Sequence, residues 1–141
     1  MSNILFVCTG NTCRSAMAKA IADKISSENN LSFSFDSCGL AAQDGSLASS
    51  GAIAALDELY SIDLSLHRSK LVSRELLDNA DVIFAMSENH ALPIRALPQY
   101  KDKLKVANPA ISDPYMQSIE VYKACAAELY SQIEELLKEV G

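Results

Sequence analysis

Hydrophobic positions along the chain follow two different spacings in turn, and these predict strands and helices. Residues 4 to 8 form a continuous apolar run, with Gly10 two residues beyond its end, which is typical of a buried parallel strand. Residues 9 to 14 then form a turn. From Ser15, a candidate helix cap, apolar side chains recur at helical spacing. The members of this helix face are Met17, Ala18, Ile21, Ala22 and Ile25.

The middle of the chain repeats this order of strand and helix. Residues 31 to 37 alternate apolar and polar side chains, which predicts a second strand that stops at Gly39. Helices are expected over Ala48 to Tyr60 and, with Ser73 as its cap, over Ser73 to Ala80. Residues 81 to 86 have the pattern of a third buried strand.

The pattern in the last third of the chain predicts two more helices and a short strand between them. Ser87 to Leu97 is expected to be helical, with Pro93 either early in the helix or interrupting it. Residues 105 to 107 form a short last strand, and residues 119 to 137 a long amphipathic closing helix. Strands that alternate with helices predict an α/β fold with a mostly parallel sheet.

Composition supports a folded protein of one domain, spanning residues 1 to 141. Hydrophobic residues make up 49% of the chain and charged residues 21%, which is ordinary for a protein with a packed core. The formal charge of -6 gives no general attraction for nucleic acid or anionic membranes. No apolar stretch approaches the roughly 20 residues of a membrane span, so a cytoplasmic protein is expected. An anionic ligand would have to be held by a local site.

Four cysteines occur, and their spacing matches no zinc motif, so no metal site is expected. Because a chain of this length does not need disulfides, reduced thiols are the expected resting state. Cys38 and Cys125 are interpreted as packing residues. The remaining two, Cys8 and Cys13, lie in the turn that follows the first strand.

That turn has the features of a phosphate-binding loop. It lies where the carboxyl end of a strand meets the following helix, which is where α/β sheets bind ligands. Successive backbone N–H groups and the positive end of a helix dipole favour a tetrahedral anion there, and Gly10 permits a positive φ. The predicted phosphate-binding residues are Thr9, Gly10, Asn11, Thr12, Cys13, Arg14 and Ser15.

The spacing of Cys8 and Arg14 points to nucleophilic chemistry on phosphorus. The helix N-terminus and the guanidinium both favour a thiolate at Cys8, and five intervening residues can wrap a tetrahedral anion. The planar fork of Arg14 matches two phosphoryl oxygens. Ser15 can donate its hydroxyl to the sulfur.

Cleavage of a phosphate ester also needs a group that protonates the leaving atom and then activates water. Asp113 is the candidate because it lies in a turn before Pro114 and Tyr115, outside any helix. The acidic residues near the C-terminus instead belong to a solvated helical face. Asp113 is therefore expected on a loop over the phosphate-binding residues, close to Tyr115.

The stretch V-C-T-G-N-T-C-R-S together with the late D-P-Y resembles the low-molecular-weight protein tyrosine phosphatase family. Segments in between resemble the family in the same order: Asp36 to Gly39, His67 to Lys70, and Ala80 to Ile83 followed by Met86 and His90. The resemblance implies a single three-layer domain with a four-stranded parallel sheet flanked by helices on both faces. It also implies no cofactor and the roles argued for the catalytic residues.

The same resemblance implies that Asn11 and Ser37 are supporting residues, which hold the loop in its phosphate-binding shape by hydrogen bonds. The chain departs from the family at Ala16, where proline is usual as the first residue of the helix. His67 and His90 are interpreted as hydrogen-bonded scaffold residues.

The expected substrate is a phosphorylated protein side chain, from which free phosphate is released, and the family resemblance implies that this side chain is phosphotyrosine. Two features indicate phosphoarginine instead. Thr12 stands where tyrosine-specific members commonly have an aliphatic residue and is the residue of the related protein arginine phosphatases. Residues 40 to 43 contain no aromatic ring where tyrosine-specific members have one. Tyr115 and Thr12 are the expected substrate wall, and the protein is expected to be a monomer.

Other readings stay open at this point. Cys13 is either a small core residue or a redox partner that protects Cys8 through a reversible disulfide. Arsenate reduction is a more distant alternative, although residues 80 to 90 contain no cysteine for a reductase relay. A third reading is a module that binds phosphoproteins without catalysing their hydrolysis. Tyr122 and Tyr130 are core residues or phosphorylation sites.

Overall fold

A computed structural model describes residues 2–141, which form one parallel sheet of four strands with helices on both faces. The strands are β1 (Ser2–Cys8), β2 (Phe33–Gly39), β3 (Val82–Ala85) and β4 (Leu104–Val106). The α-helices are α1 (Arg14–Glu28), α2 (Ser50–Tyr60), α3 (Arg74–Asn79), α4 (Glu88–Arg95) and α5 (Ile119–Val140), and a 3-10 helix covers Pro98–Lys103. The predicted fold class is confirmed.

The strand order is β2-β1-β3-β4, which places β1 between two partners. Cys8 pairs with Gly39 of β2, and Val7 with Ala85 of β3, so the three strands end at the same edge of the sheet. Chain connections diverge there, because the chain leaves β1 toward β2 on one side and leaves β3 toward β4 on the other. This edge is the topological switch point, where open α/β sheets bind ligands.

The two faces of β1 belong to different parts of the core. Ile4, Phe6 and Cys8 face the larger cluster of buried side chains, which α1, α2 and α5 complete. Leu5 and Val7 face the smaller one, which includes residues of α3, α4 and the 3-10 helix. Burial on both faces explains why the first strand reads as a continuous apolar run.

Several local predictions need correction. Helix α1 begins at Arg14, so Ser15 is its second residue and not its cap, and Ala16 is its third residue and not its first. The N-cap is Cys13, which makes no side-chain capping bond. Ser15 fails as a cap because its hydroxyl is used elsewhere, 2.8 Å from the sulfur of Cys8.

Other elements differ by small amounts from the pattern. The second strand begins at Phe33 and not at residue 31, and the last strand covers Leu104–Val106. Pro93 lies within α4, two residues before its end, and does not interrupt the helix. Ser73 caps α3 as predicted, because its hydroxyl accepts a hydrogen bond from Leu76 N at 3.1 Å. No helix within residues 2–141 has the length and apolarity needed to cross a bilayer.

Candidate active site

The loop between β1 and α1 holds Cys8 at the end of a strand and opposite the first turn of a helix. Cys8 is buried, and its sulfur lies 2.8 Å from the hydroxyl oxygen of Ser15. Because Cys13 caps α1 with no side-chain acceptor, the first N–H groups of the helix keep their capacity to bind an anion. The loop therefore combines a buried thiol with the positive end of a helix.

Asn11 gives the loop its shape. It has a left-handed backbone with φ of 57°, whereas Gly10 does not have a positive φ, so the prediction for Gly10 is wrong. Asparagine tolerates this conformation better than most residues because its short polar side chain bonds locally. A Cβ at Gly10 would meet only the hydroxyl of Thr12, at 3.7 Å.

Every polar atom of the Asn11 side chain has a partner beneath the loop. Nδ2 donates to the hydroxyls of Ser15 at 2.8 Å and Ser37 at 2.9 Å, and Oδ1 accepts from the backbone N–H of Lys70 at 3.0 Å. Nε2 of His67 lies 2.7 Å from the Asn11 carbonyl oxygen. These bonds tie the loop to β2 and to the segment before α3. Asn11 and Ser37 thus make the contact that the family resemblance implies.

Arg14 connects the loop to the segment that carries Asp113. The guanidinium is buried, and Nη1 donates to the carbonyl oxygen of Ile111 at 3.1 Å. Nη2 lies 3.7 Å from Oδ2 of Asp113, whose side chain is 55% exposed. The other carboxylate oxygen accepts from the N–H of Tyr115 at 3.0 Å, which fixes the turn. Asp113 is therefore held beside Arg14 and still open to solvent.

These residues surround one cavity of about 250 Å³. Its floor is formed by Cys8, Thr9, Gly10, Thr12, Cys13 and Arg14. One wall contains Ala41, Ala42 and Gln43, and the other contains Asp113 and Tyr115. Asn11, Ser15 and Ser37 are buried and lie beneath the floor. A larger groove of about 560 Å³ between β4 and α5 is lined by no cysteine, arginine or histidine.

Both histidines have the scaffold contacts expected of them. Nε2 of His90 lies 2.8 Å from the hydroxyl of Thr9, and Nδ1 lies 2.8 Å from that of Ser87. Burial lowers the pKa of both imidazoles, and the nearby Arg14 lowers the pKa of His90 further. The contact with Thr9 was not predicted, although the position of His90 just after β3 already places it at the ligand edge of the sheet.

All four cysteines are free thiols in the described chain. Cys13 packs against the N-terminus of α2, with its sulfur 3.2 Å from the hydroxyl of Ser49 and 3.7 Å from that of Tyr122. Burial raises the pKa of Cys38 and of Cys125 to about 12, in keeping with packing residues. A disulfide between Cys8 and Cys13 stays a prediction. Within residues 2–141, no three His, Cys, Asp or Glu side chains cluster as metal ligands.

Comparison with known proteins identifies relatives along the whole chain. Residues 3–141 match the family model described as low molecular weight phosphotyrosine protein phosphatase. A protein-arginine-phosphatase of Bacillus subtilis is 34% identical over 98% of this chain and 96% of its own. The low molecular weight protein-tyrosine-phosphatase Wzb of Escherichia coli K12 is 31% identical over 87% of this chain and 84% of its own.

Solved structures agree with the sequence comparison. The crystal structure of a low molecular weight protein tyrosine phosphatase from T. tengcongensis superposes with a TM-score of 0.94. It is 37% identical in sequence and covers 99% of both chains. With the family model matched from residue 3 to the C-terminus, the chain belongs to the low molecular weight phosphotyrosine protein phosphatase family.

Proposed function

We propose that this phosphatase hydrolyses phosphorylated protein side chains through a phosphocysteine on Cys8, and that its preferred substrate is phosphoarginine. The observation that carries the proposal is the 250 Å³ cavity, which has Cys8 in its floor and both Arg14 and Asp113 beside it. A nucleophile, an anion-binding fork and a candidate acid around one cavity are the parts that double displacement on phosphorus requires.

In the first step the thiolate of Cys8 attacks phosphorus, and the bond from phosphorus to the side chain breaks. Arg14 binds two phosphoryl oxygens, and the N–H groups at the start of α1 bind the developing charge. Asp113, protonated at this stage, gives its proton to the leaving nitrogen or oxygen atom. The products are the free side chain and a phosphocysteine.

In the second step Asp113 works as a base. Its carboxylate removes a proton from water, the water oxygen bonds to phosphorus, and the bond from sulfur to phosphorus breaks. The departing thiolate is a strong acceptor, and the hydroxyl of Ser15 is 2.8 Å from it. Ser15 therefore stabilises the sulfur both as nucleophile and as leaving group. Free phosphate leaves, and Asp113 is again protonated.

Three features of the cavity favour a guanidinium over a phenol ring. Thr12 presents a hydroxyl at the floor, and Ala41, Ala42 and Gln43 give one wall without an aromatic ring. Once Asp113 has given up its proton, its exposed carboxylate can pair with the guanidinium that leaves. Relatives named protein-arginine-phosphatase, at 34% and 35% identity, support this choice.

Phosphotyrosine is the second candidate, and Tyr115 favours it. Its ring lies on the remaining wall of the cavity and is 59% exposed, so it can stack on a substrate ring. The structure named low molecular weight protein tyrosine phosphatase from T. tengcongensis, 37% identical over 99% of both chains, supports this second candidate.

Parallel turnover of a phosphoarginine peptide and a phosphotyrosine peptide of matched sequence tests the proposal. Wild type and Thr12→Ile are compared, with Cys8→Ser as the inactive control. We expect wild type to prefer phosphoarginine and Thr12→Ile to shift turnover toward phosphotyrosine. A wild type that prefers phosphotyrosine would reject phosphoarginine as the substrate, and an active Cys8→Ser would reject the nucleophile.

A further inference from the structure

Thr9 belongs to a chain of hydrogen bonds that has no role in the two steps described above. Its side chain is exposed and lines the cavity next to Cys8. The hydroxyl oxygen lies 2.8 Å from Nε2 of His90, and Nδ1 of that ring lies 2.8 Å from the hydroxyl oxygen of Ser87. A buried imidazole, only 6% exposed, is therefore connected directly to the substrate cavity.

The neutral form of His90 is favoured at neutral pH. Burial lowers its pKa, Arg14 lowers it as well, and Asp113 acts in the opposite direction as the smallest of the three influences. A neutral imidazole carries one N–H donor and one acceptor nitrogen. The ring can thus donate to only one of its two hydroxyl partners, and it accepts from the other.

We assign the ring N–H to Nδ1, which faces Ser87. Ser87 stands at the N-cap of α4, yet its side chain makes no capping bond, so its oxygen is available to accept from Nδ1–H. Nε2 is then the acceptor, and the hydroxyl of Thr9 donates to it. With its proton committed to His90, the Thr9 oxygen offers the cavity only acceptor lone pairs.

We propose that Thr9 is a specificity-determining residue that accepts a hydrogen bond from a guanidinium N–H of phosphoarginine, with His90 as its positioning residue. The inference rests on the proposed function. The leaving guanidine takes the proton of Asp113 at the bridging nitrogen and becomes a cation with five N–H donors. Thr9 exchanges no proton. A phenol leaving group has no N–H, so an oriented acceptor that lines the cavity favours phosphoarginine alone.

Matched variants test this assignment. Thr9→Val removes the hydroxyl at nearly constant shape, and Thr9→Ser keeps it. His90→Phe removes the acceptor nitrogen, and His90→Gln keeps an acceptor near the same position. For each, kcat/KM is measured on phosphoarginine and phosphotyrosine peptides of matched sequence, and thermal denaturation checks the fold. Since Thr9 is exposed, its variants give a result even where a His90 variant unfolds.

We expect the ratio of kcat/KM for phosphoarginine to that for phosphotyrosine to fall about tenfold or more in Thr9→Val, the loss typical of one hydrogen bond to a charged group. Thr9→Ser and His90→Gln should retain most of the wild-type ratio, whereas His90→Phe should resemble Thr9→Val. An unchanged ratio in Thr9→Val overturns the assignment and leaves the proposed function standing. A wild type without phosphoarginine turnover overturns both.

Discussion

The shape of the phosphate-binding loop depends on single residues, and above all on Asn11. It combines a left-handed backbone with three side-chain hydrogen bonds at a position without solvent exposure. Glycine would satisfy the backbone alone, and a serine would satisfy part of the bonding. Asparagine satisfies both, which explains its place between Cys8 and Arg14.

Two substitutions separate these contributions. Asn11→Gly keeps the backbone conformation and loses the side-chain bonds, which should lower the free energy of unfolding by about 2–4 kcal/mol. Asn11→Ala also has to place a Cβ in the left-handed region, which costs about 1–2 kcal/mol more. Urea denaturation of both variants measures the difference. Equal stability of the two would show that the backbone conformation adds no strain.

The acid role of Asp113 has its own signature at the residue scale. Asp113→Asn cannot protonate the leaving atom, so kcat/KM on phenyl phosphate should fall at least ~100-fold. An activated nitrophenyl phosphate leaves without help and should lose much less. The measurement is kcat/KM across aryl phosphates of increasing phenol pKa, where the variant should show the steeper dependence.

Glu120→Gln is the matched control for that series. Glu120 lies in the first turn of α5, close to Asp113 in sequence and exposed, and it does not line the cavity. It should follow the wild-type dependence on leaving-group pKa. If Asp113→Asn also follows it, another group supplies the proton.

At the scale of elements, α2 and α5 meet at a glycine. A Cβ on Gly51 would lie far inside contact distance of the ring of Tyr122. Tyr122 is buried, and its hydroxyl reaches the sulfur of Cys13 at the start of α1. The close approach of two helices thus supports the position of the phosphate-binding loop.

Gly51→Ala should lower the melting temperature, even though alanine favours a helix over glycine by about 1 kcal/mol. The added methyl overpacks a buried ring, a change that typically costs 1–3 kcal/mol and here exceeds the propensity gain. Ser50→Ala, at the exposed neighbouring position, should change stability by less than about 0.5 kcal/mol. A more stable Gly51→Ala would show that the helices can separate freely.

The sequence predicted the elements well because each carries its own periodic pattern. The run ending at Cys8 and the alternation over residues 31 to 37 both reflect burial within a strand, and Ser73 carries a local capping signal. Contacts between distant segments have no such pattern. The bond from Thr9 to His90 joins residues 81 positions apart.

The errors at the site have the same origin. Ser15 was predicted to cap a helix, and Gly10 to have a positive φ, because these are the usual roles of the residue types. Tertiary contacts assign the roles otherwise, since Ser15 bonds to Cys8 and the side-chain bonds of Asn11 hold its backbone left-handed.

The whole molecule keeps two thiols neutral within its core, and this links its stability to pH. Burial is the main cause that raises the pKa of Cys38 and Cys125 from the ordinary 9.0 to about 12. In the unfolded chain both thiols would ionise near pH 9. Their contribution to stability is therefore complete below pH 9 and is lost as the pH rises toward 12.

The free energy of unfolding should consequently fall between pH 8 and pH 10, by about 1 kcal/mol for each of these thiols. A double variant, Cys38→Ala with Cys125→Ala, should start less stable at pH 8 because it leaves small cavities, yet lose less on going to pH 10. The double variant should still lose some stability between pH 8 and pH 10, since burial also raises the pKa values of Tyr60 and Tyr122. Urea denaturation at pH 8 and pH 10 measures the change in the free energy of unfolding for wild type and for the double variant. Equal losses in wild type and double variant would mean that the buried thiols ionise no later in the folded protein than in the unfolded chain.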